Sequence, residues 1–192
     1  MRIVSLINKN LSKGFTLIEL LIVIAVLGVL AAVVLVAIDP VQQLARGRDA
    51  GRKSTVGQLG RALQAYYTTQ AAYPAVTQWT TAPNILVTAG EIKSFPTNPN
   101  YAGAGFTCPP AANNYSGYCY NTGGATPEAV VYARLESSSE VNKCSVPPAP
   151  AGATIAWFVF STAAGRAGIY CNNSATTPPA PGIPSSAMQP SS

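Results

Sequence analysis

The organisation of this chain is decided by the stretch Lys13-Gly14-Phe15-Thr16-Leu17-Ile18-Glu19. A basic leader meets a small residue and then an aromatic residue here, and an apolar run follows from Phe15 to Ile38. At about 1.5 Å per residue, a helix of this run is roughly 36 Å long, which is enough to cross a bilayer with some tilt.

The only charge in the run is Glu19. Because a carboxylate inside a membrane segment is costly, we interpret Glu19 as functional. No Lys, Arg or His lies in the run, so the sequence predicts a partner from outside the chain.

The leader differs from an ordinary secretory signal. Such a signal has an apolar core of about 7–15 residues and a small-x-small cleavage site behind it. Here the apolar run is longer, and the candidate cut lies in front of it, between Gly14 and Phe15. Cleavage there removes residues 1–14 and leaves residues 15–38 on the mature protein as a transmembrane and assembly helix.

The composition of the rest of the chain indicates a small, loop-rich domain outside the cytoplasm. Charged residues make up only 10% of the 192 residues, and glycine and proline number 16 each. The net charge of +5 is partly that of the leader, which has three cations and no acid, so the charge says little about nucleic acid. The short basic leader favours an N-terminus in the cytoplasm.

The absence of histidine excludes His-dependent triads and His-ligated metals. A membrane-anchored enzyme with a Ser–Lys pair, using Lys93 or Lys143, has no motif to support it. We therefore expect a protein that is not an enzyme, with no cofactor and no metal.

The four cysteines all lie in the expected head domain, residues 71–175, at Cys108, Cys119, Cys144 and Cys171. No pair has CxxC spacing, so neither a zinc ribbon nor a thioredoxin motif is indicated. An even count beyond a membrane segment indicates two disulfides in an oxidising compartment. Of the three possible pairings we favour Cys108–Cys119 with Cys144–Cys171, because sequential pairing closes short loops. Free buried thiols are the alternative.

The apolar run ends at Asp39-Pro40, where proline favours a kink or a short break. Helical spacing then resumes, and residues 39–70 are expected to form an amphipathic second half of the helix. Four glycines weaken this segment by about 1 kcal/mol each relative to alanine. They are Gly47, Gly51, Gly57 and Gly60. The segment therefore needs packing on its apolar face, and a sheet is the expected support.

The same segment is basic, with Asp49 as its only acid besides the Asp39 that precedes Pro40. Its cations are Arg46, Arg48, Arg52, Lys53 and Arg61. Three interpretations remain open: a solvated face near lipid headgroups, salt bridges to a neighbouring subunit, or contact with DNA. DNA is the least favoured, because no aromatic residues are interleaved with these cations as single-strand binding requires.

The head is expected to be a small antiparallel sheet, which makes the chain an α+β protein. The sequence predicts a short helix over residues 84–89 and strands over residues 115–121, 129–135, 155–161 and 167–171. The last two strands form a hairpin around Gly165. The Pro/Ser-rich tail, residues 176–192, is expected to be disordered.

The chain resembles type IV prepilins and the pseudopilins of type II secretion in the stretch Gly14-Phe15-Thr16-Leu17-Ile18-Glu19-Leu20, which matches their processing and methylation motif. The resemblance continues less specifically through Ile38-Asp39-Pro40 to Tyr73-Pro74. It implies a long N-terminal helix packed on a small sheet. It also implies that a membrane prepilin peptidase cuts after Gly14 and methylates the new amine of Phe15. Glu19 would then neutralise the Phe15 amine of an adjacent subunit during assembly.

The resemblance further implies the partners and the location of the protein. The partners are identical and related pilin subunits in a helical homopolymer, the inner-membrane assembly machinery, and membrane lipid before assembly. The chain would be a single-pass protein of the cytoplasmic membrane with its head outside, and later part of an extracellular or periplasmic filament. Alternatives are a pseudopilin of a type II secretion or DNA-uptake system, and a membrane-anchored binding module that keeps its leader and does not polymerise.

Overall fold

A computed structural model describes residues 14–97, 108, 113–123, 127–174, 177 and 179–190. The α-helices are α1 Leu17–Ile38, α2 Pro40–Gln70, α3 Val76–Thr80, α4 Ile85–Thr88 and α5 Ser138–Val141. The strands are β1 Asn114–Tyr115, β2 Tyr118–Thr122, β3 Ala129–Arg134, β4 Ile155–Ser161 and β5 Arg166–Asn172. Among the described residues, 3₁₀ helices span Asn142–Ser145 and Ser185–Ala187. The predicted α+β class, a long N-terminal helix with a small antiparallel sheet, is confirmed. Residues 1–13 of the expected leader lie outside the described residues.

The chain divides between Pro40 and Val41 into two compact units. The first contains α1, which is apolar all round and has no buried residue. By length and composition, the helical stretch that begins at Leu17 is suited to crossing a membrane. The expected break before Pro40 is a single residue, because Asp39 leaves the helical conformation with a φ of 43°.

The second unit is built on a five-stranded antiparallel sheet whose strands follow chain order, β1-β2-β3-β4-β5. Successive side chains of a strand point to opposite faces, and here both faces are covered. The inner face carries Val131, Phe158 and Ile169, which belong to one core cluster with residues of α2. The outer face carries Tyr132 and Trp157, which belong to a second cluster. Val131 and Tyr132, neighbours on the predicted strand over residues 129–135, thus lie on opposite faces.

The apolar face of α2 packs against the inner face of the sheet. Its buried apolar side chains are Ala45, Val56, Leu59, Ala62, Leu63 and Tyr66. Gly60 lies against the ring of Phe160 on β4, so closely that a Cβ at this position would overlap the ring. A Cβ on Gly47 would meet nothing. The sheet is thus the packing support that the sequence predicts for α2. Gly60 allows the helix to approach β4 closely.

Two elements differ from the expected head. The predicted strand over residues 115–121 is a hairpin of β1 and β2, because Ser116 and Gly117 have positive φ values of 52° and 84° and turn the chain. Helix α3 lies in a segment for which the sequence predicts no helix or strand, and it brings Trp79 into the core with no exposed surface.

The expected disorder of the tail is wrong for residues 179–190. Ile183 and Met188 are buried against the outer face of the sheet. Gln189 forms an isolated antiparallel bridge with Ile169 of β5. Composition predicts disorder here because proline and serine dominate, but two apolar side chains and one backbone pair dock the segment. Residues 175–176, 178 and 191–192 lie outside the described residues.

Candidate functional site

The residues singled out for processing and assembly lie at the start of α1. Thr16 is the N-cap of the helix and forms a capping box with Glu19. The Glu19 backbone N–H donates to Thr16 Oγ1 over 3.3 Å. In return, Glu19 Oε2 accepts from the Thr16 backbone N–H at 2.9 Å and from the Thr16 hydroxyl at 2.7 Å.

The capping box corrects the expectation that the partner of Glu19 lies wholly outside the chain. One carboxylate oxygen is already bonded to the N-cap residue, which lies inside the apolar run. The signal was present in the sequence, since Thr-x-x-Glu in front of an apolar run is the pattern of a capping box. The partners of the carboxylate here are not basic side chains but a hydroxyl and a backbone N–H. These bonds satisfy hydrogen-bonding groups at the helix start but leave the negative charge of Glu19 unneutralised.

Gly14 and Phe15 lie in front of the helix, in backbone without regular structure. Phe15 is 79% exposed, and a Cβ on Gly14 would meet nothing within 4 Å. The bond between them is therefore outside the helical hydrogen-bond ladder. Beyond it, every residue of α1 is exposed, so the helix presents an apolar surface on all sides.

The basic segment of α2 is mostly paired within the subunit, which none of the three expected interpretations foresaw. Arg48 Nε lies 2.8 Å from Glu136 Oε1, and Arg52 Nη1 lies 2.6 Å from the same oxygen. Lys53 Nζ lies 2.7 Å from Glu140 Oε1. The hydrogen bond to Glu136 also raises the pKa of the Arg48 guanidinium above its ordinary value.

Asp49 is the centre of this network. It is 1% exposed, and its Oδ1 accepts from Arg52 Nη1 at 2.9 Å. Its Oδ2 accepts from the backbone N–H of Ser137 at 2.8 Å and of Glu136 at 3.2 Å. Asp49 therefore holds α2 to the loop between β3 and α5. The sequence signal was a lone acid among five cations, but its acceptor role depends on residues far along the chain.

The disulfides join Cys108 to Cys119 and Cys144 to Cys171. This is the pairing that short loop closure favours. The first bridge lies in the outer cluster and the second in the inner cluster, so each face of the sheet has one. Among the described residues, no group of three or more His, Cys, Asp or Glu residues is placed to hold a metal ion.

Comparisons with known proteins give a family-model match and a curated relative. A family model described as the prokaryotic N-terminal methylation motif matches residues 9–35. The fimbrial protein EcpC of Eikenella corrodens is 40% identical over 67 residues, which are 35% of this chain and 42% of that protein. The chain thus matches less than half the length of this curated relative. No solved structure matches significantly. The resemblance of residues 14–20 to the prepilin methylation motif is confirmed.

Proposed function

We propose that this chain, whose N-terminus carries a prepilin-type methylation motif, is a structural subunit of a type IV pilus-like filament. The observation that carries the proposal is the position of the motif. Gly14-Phe15 lies directly in front of a capped helix, with Glu19 in its first turn and no buried residue along its length. A chain of this kind needs an apolar environment for α1 before and after assembly.

The apolar surface of α1 supports two successive environments. Burial of apolar surface contributes about 25 cal/mol per Å², so a fully exposed apolar helix is not stable in water. Lipid covers this surface in the membrane. In a filament, the same surface is covered by the helices of neighbouring subunits. Because both environments are apolar, the free energy of moving α1 from lipid into the filament depends on helix packing and on the pairing of polar groups.

Glu19 supplies the polar pairing in this proposal. An unpaired carboxylate and an unpaired ammonium are each costly when buried, and bringing them together recovers much of that cost. The amine of Phe15 that processing would create is the ammonium, and it would come from an adjacent subunit. Only one stagger of neighbouring helices joins the two groups, so the pair also sets the register of the filament.

The proposed topology follows from the charge and the cysteines. The leader, with its three cations, stays in the cytoplasm, α1 crosses the membrane, and the head lies outside. Two disulfides in the head fit an oxidising compartment. A prepilin peptidase and an inner-membrane assembly machinery are the partners that this route requires.

The first test is the intact mass of the native protein without reduction. We expect a chain that begins at methylated Phe15 and that lacks four hydrogens because of its two disulfides. A chain that begins at Met1 would contradict processing and would favour a membrane-anchored binding module. Four alkylatable thiols would contradict the extracytoplasmic head.

The second test separates the charge of Glu19 from its capping bonds. Glu19→Gln keeps an acceptor for the capping box and removes the charge, because glutamine also serves at this position. We expect normal membrane levels of processed subunit and at least about a tenfold lower yield of sheared filaments, because the buried charge pair is lost. The control is Thr16→Val, which removes the hydroxyl and keeps the charge, and whose filament yield should fall less.

Wild-type filament yield from processed Glu19→Gln subunits would overturn the electrostatic account and leave helix packing as the only source of assembly. A processed wild-type chain that never forms surface filaments would instead favour a pseudopilin of a secretion or DNA-uptake system.

A further inference from the structure

Residues 183–190, here called the strap, cover the outer face of the sheet and the open edge of β5. Strand β5 ends the sheet, and edge strands present unpaired backbone groups that accept another strand. At the opposite end, β1 has only two residues and offers little to pair with. The strap therefore occupies the principal strand-accepting position of the head.

The strap is held by backbone bonds and by two apolar anchors. Ile169 and Gln189 exchange two backbone hydrogen bonds, of 3.1 Å and 2.7 Å. The Ser161 hydroxyl donates a buried hydrogen bond of 2.9 Å to the carbonyl oxygen of Ile183. The anchors Ile183 and Met188 pack beside Trp157, which has no exposed surface. Backbone pairing combined with side-chain pockets is how extended peptides are recognised by a sheet edge.

Gly168 shows that β5 is shaped for the strap. It lies in the middle of β5, where glycine weakens a strand. A Cβ at this position would lie 2.9 Å from Met188 Cβ and 3.0 Å from the carbonyl oxygen of Gln189. Any larger residue would thus push the strap away from the sheet. The presence of glycine at position 168 is explained by the close approach of the strap. The hydrogen-bond ladder with β4 does not require it.

The strap is joined to the sheet by a long linker. It is connected to β5 by residues 173–182, which include Pro178, Pro179 and Pro181. Proline-rich linkers extend at about 3.1 Å per residue, so this linker reaches roughly 30 Å. That exceeds the width of a five-stranded sheet, about 24 Å at the usual strand spacing.

We infer that the outer face and β5 edge form an acceptor site for an extended peptide, and that the strap of a second copy of this chain can fill it. Every copy carries both the acceptor and the matching strap, so exchange between copies replaces each contact by an identical one. Exchange of an identical element between copies has a low cost for this reason. The inference deepens the proposed function, because a filament would hold copies side by side and link their heads.

The test mixes an acceptor with a donor in detergent micelles. The acceptor is ¹⁵N-labelled full chain truncated after Gly182, which has an open site and no strap. The donor is unlabelled full chain with Gly168→Val, which keeps its strap but cannot dock it on its own β5. Valine is a good strand residue, so β5 itself is preserved in the donor. The matched control is the donor truncated after Gly182.

The readout is hydrogen exchange at the Ile169 amide of the acceptor, because this N–H donates to Gln189 of the strap. In the truncated acceptor alone, we expect the Ile169 amide to exchange at least about tenfold faster than in the intact chain. Addition of the donor should restore the protection of this amide, and addition of the control should not. The amides of Gly168 and Tyr170 face β4 by the alternation of an antiparallel ladder and serve as internal references.

An unchanged Ile169 exchange rate with excess donor would overturn the inference. If the truncated acceptor lost its near-UV circular dichroism, the acceptor would be the full-length Met188→Ser variant, whose own strap has one anchor removed. Failure of the donor to protect that acceptor would overturn the inference equally. Neither mixture depends on the assembly machinery or on Glu19, so such a failure would leave the filament proposal standing.

Discussion

Gly60 and Gly47 both lie on α2, but Gly60 contacts the sheet and Gly47 faces open space. We expect Gly60→Ala to destabilise the second unit by about 1–3 kcal/mol, because its Cβ would overlap the ring of Phe160 and force α2 away from the sheet. Gly47→Ala adds a methyl group into open space and removes a poor helix former, so it should stabilise α2 by up to about 1 kcal/mol. Urea unfolding in detergent, followed by near-UV circular dichroism, measures both. Equal effects from the two variants would show that helix propensity alone decides, and that the close approach at Gly60 has no energetic consequence.

Some single residues were within reach of sequence reasoning and others were not. The motif around Gly14, Phe15 and Glu19 is recognisable because it is local and its spacing is specific, while the roles of these residues in processing and assembly stay a prediction. Gly60 was recognised as a weakness in a helix, but its contact with Phe160 lies 100 positions away in the chain. The acceptor role of Asp49 likewise depends on the loop at Glu136 and Ser137. Long-range contacts of this kind produce no periodic pattern in the sequence.

At the scale of elements, α2 is fastened to the loop between β3 and α5 by Asp49. We expect Asp49→Asn to destabilise the second unit by about 1–3 kcal/mol, because it removes one of the two carboxylates that pair with Arg52, which has no exposed surface. The asparagine NH₂ would also face backbone N–H groups that need an acceptor. The control is Arg46→Gln, an exposed cation on the same helix, which should change stability by no more than about 0.5 kcal/mol. Urea unfolding of the two variants side by side makes the comparison. A loss below about 1 kcal/mol in Asp49→Asn would show that Glu136 alone suffices for Arg52.

Strands β3, β4 and β5 were predicted almost to their ends because they are rich in β-branched and aromatic residues and are bounded by turn signals. The hairpin of β1 and β2 was predicted as one strand, since the turn at Ser116-Gly117 interrupts a run that is otherwise suited to a strand. Helix α3 is too short for a helical period to be visible. It is fixed by the burial of Trp79 against Tyr120, with ring centroids 4.5 Å apart. Tertiary packing and not local propensity decides these elements.

At the scale of the whole molecule, burial of tyrosine hydroxyls couples stability to alkaline pH. Burial raises the pKa of Tyr118, Tyr120 and Tyr132 in the folded state. Their stabilising contribution is complete below the unfolded pKa of about 10 and is lost as pH rises above it, because only the unfolded chain then releases the protons. We expect the free energy of unfolding to fall steadily above about pH 10.

The matched variant for this effect is Tyr132→Phe, which removes one of the three buried hydroxyls. It should reduce the slope of stability against pH above about pH 10 by about a third. Urea unfolding across pH 9–12, with tyrosinate absorbance recorded in parallel, measures the slope. A slope unchanged in the variant would mean that other groups cause the alkaline loss.

The chain order of the strands has a consequence for how the molecule is made. Within the described residues, the ladder partners of each strand are its neighbours in the sequence, and the β1–β2 and β4–β5 hairpins close short loops. Proteins rich in such local contacts fold faster than those with long-range pairings. The sheet can therefore begin to form from its local hairpins. Docking of α2 through Asp49 and Gly60 is the non-local step, and it converts a newly made sheet into a rigid head.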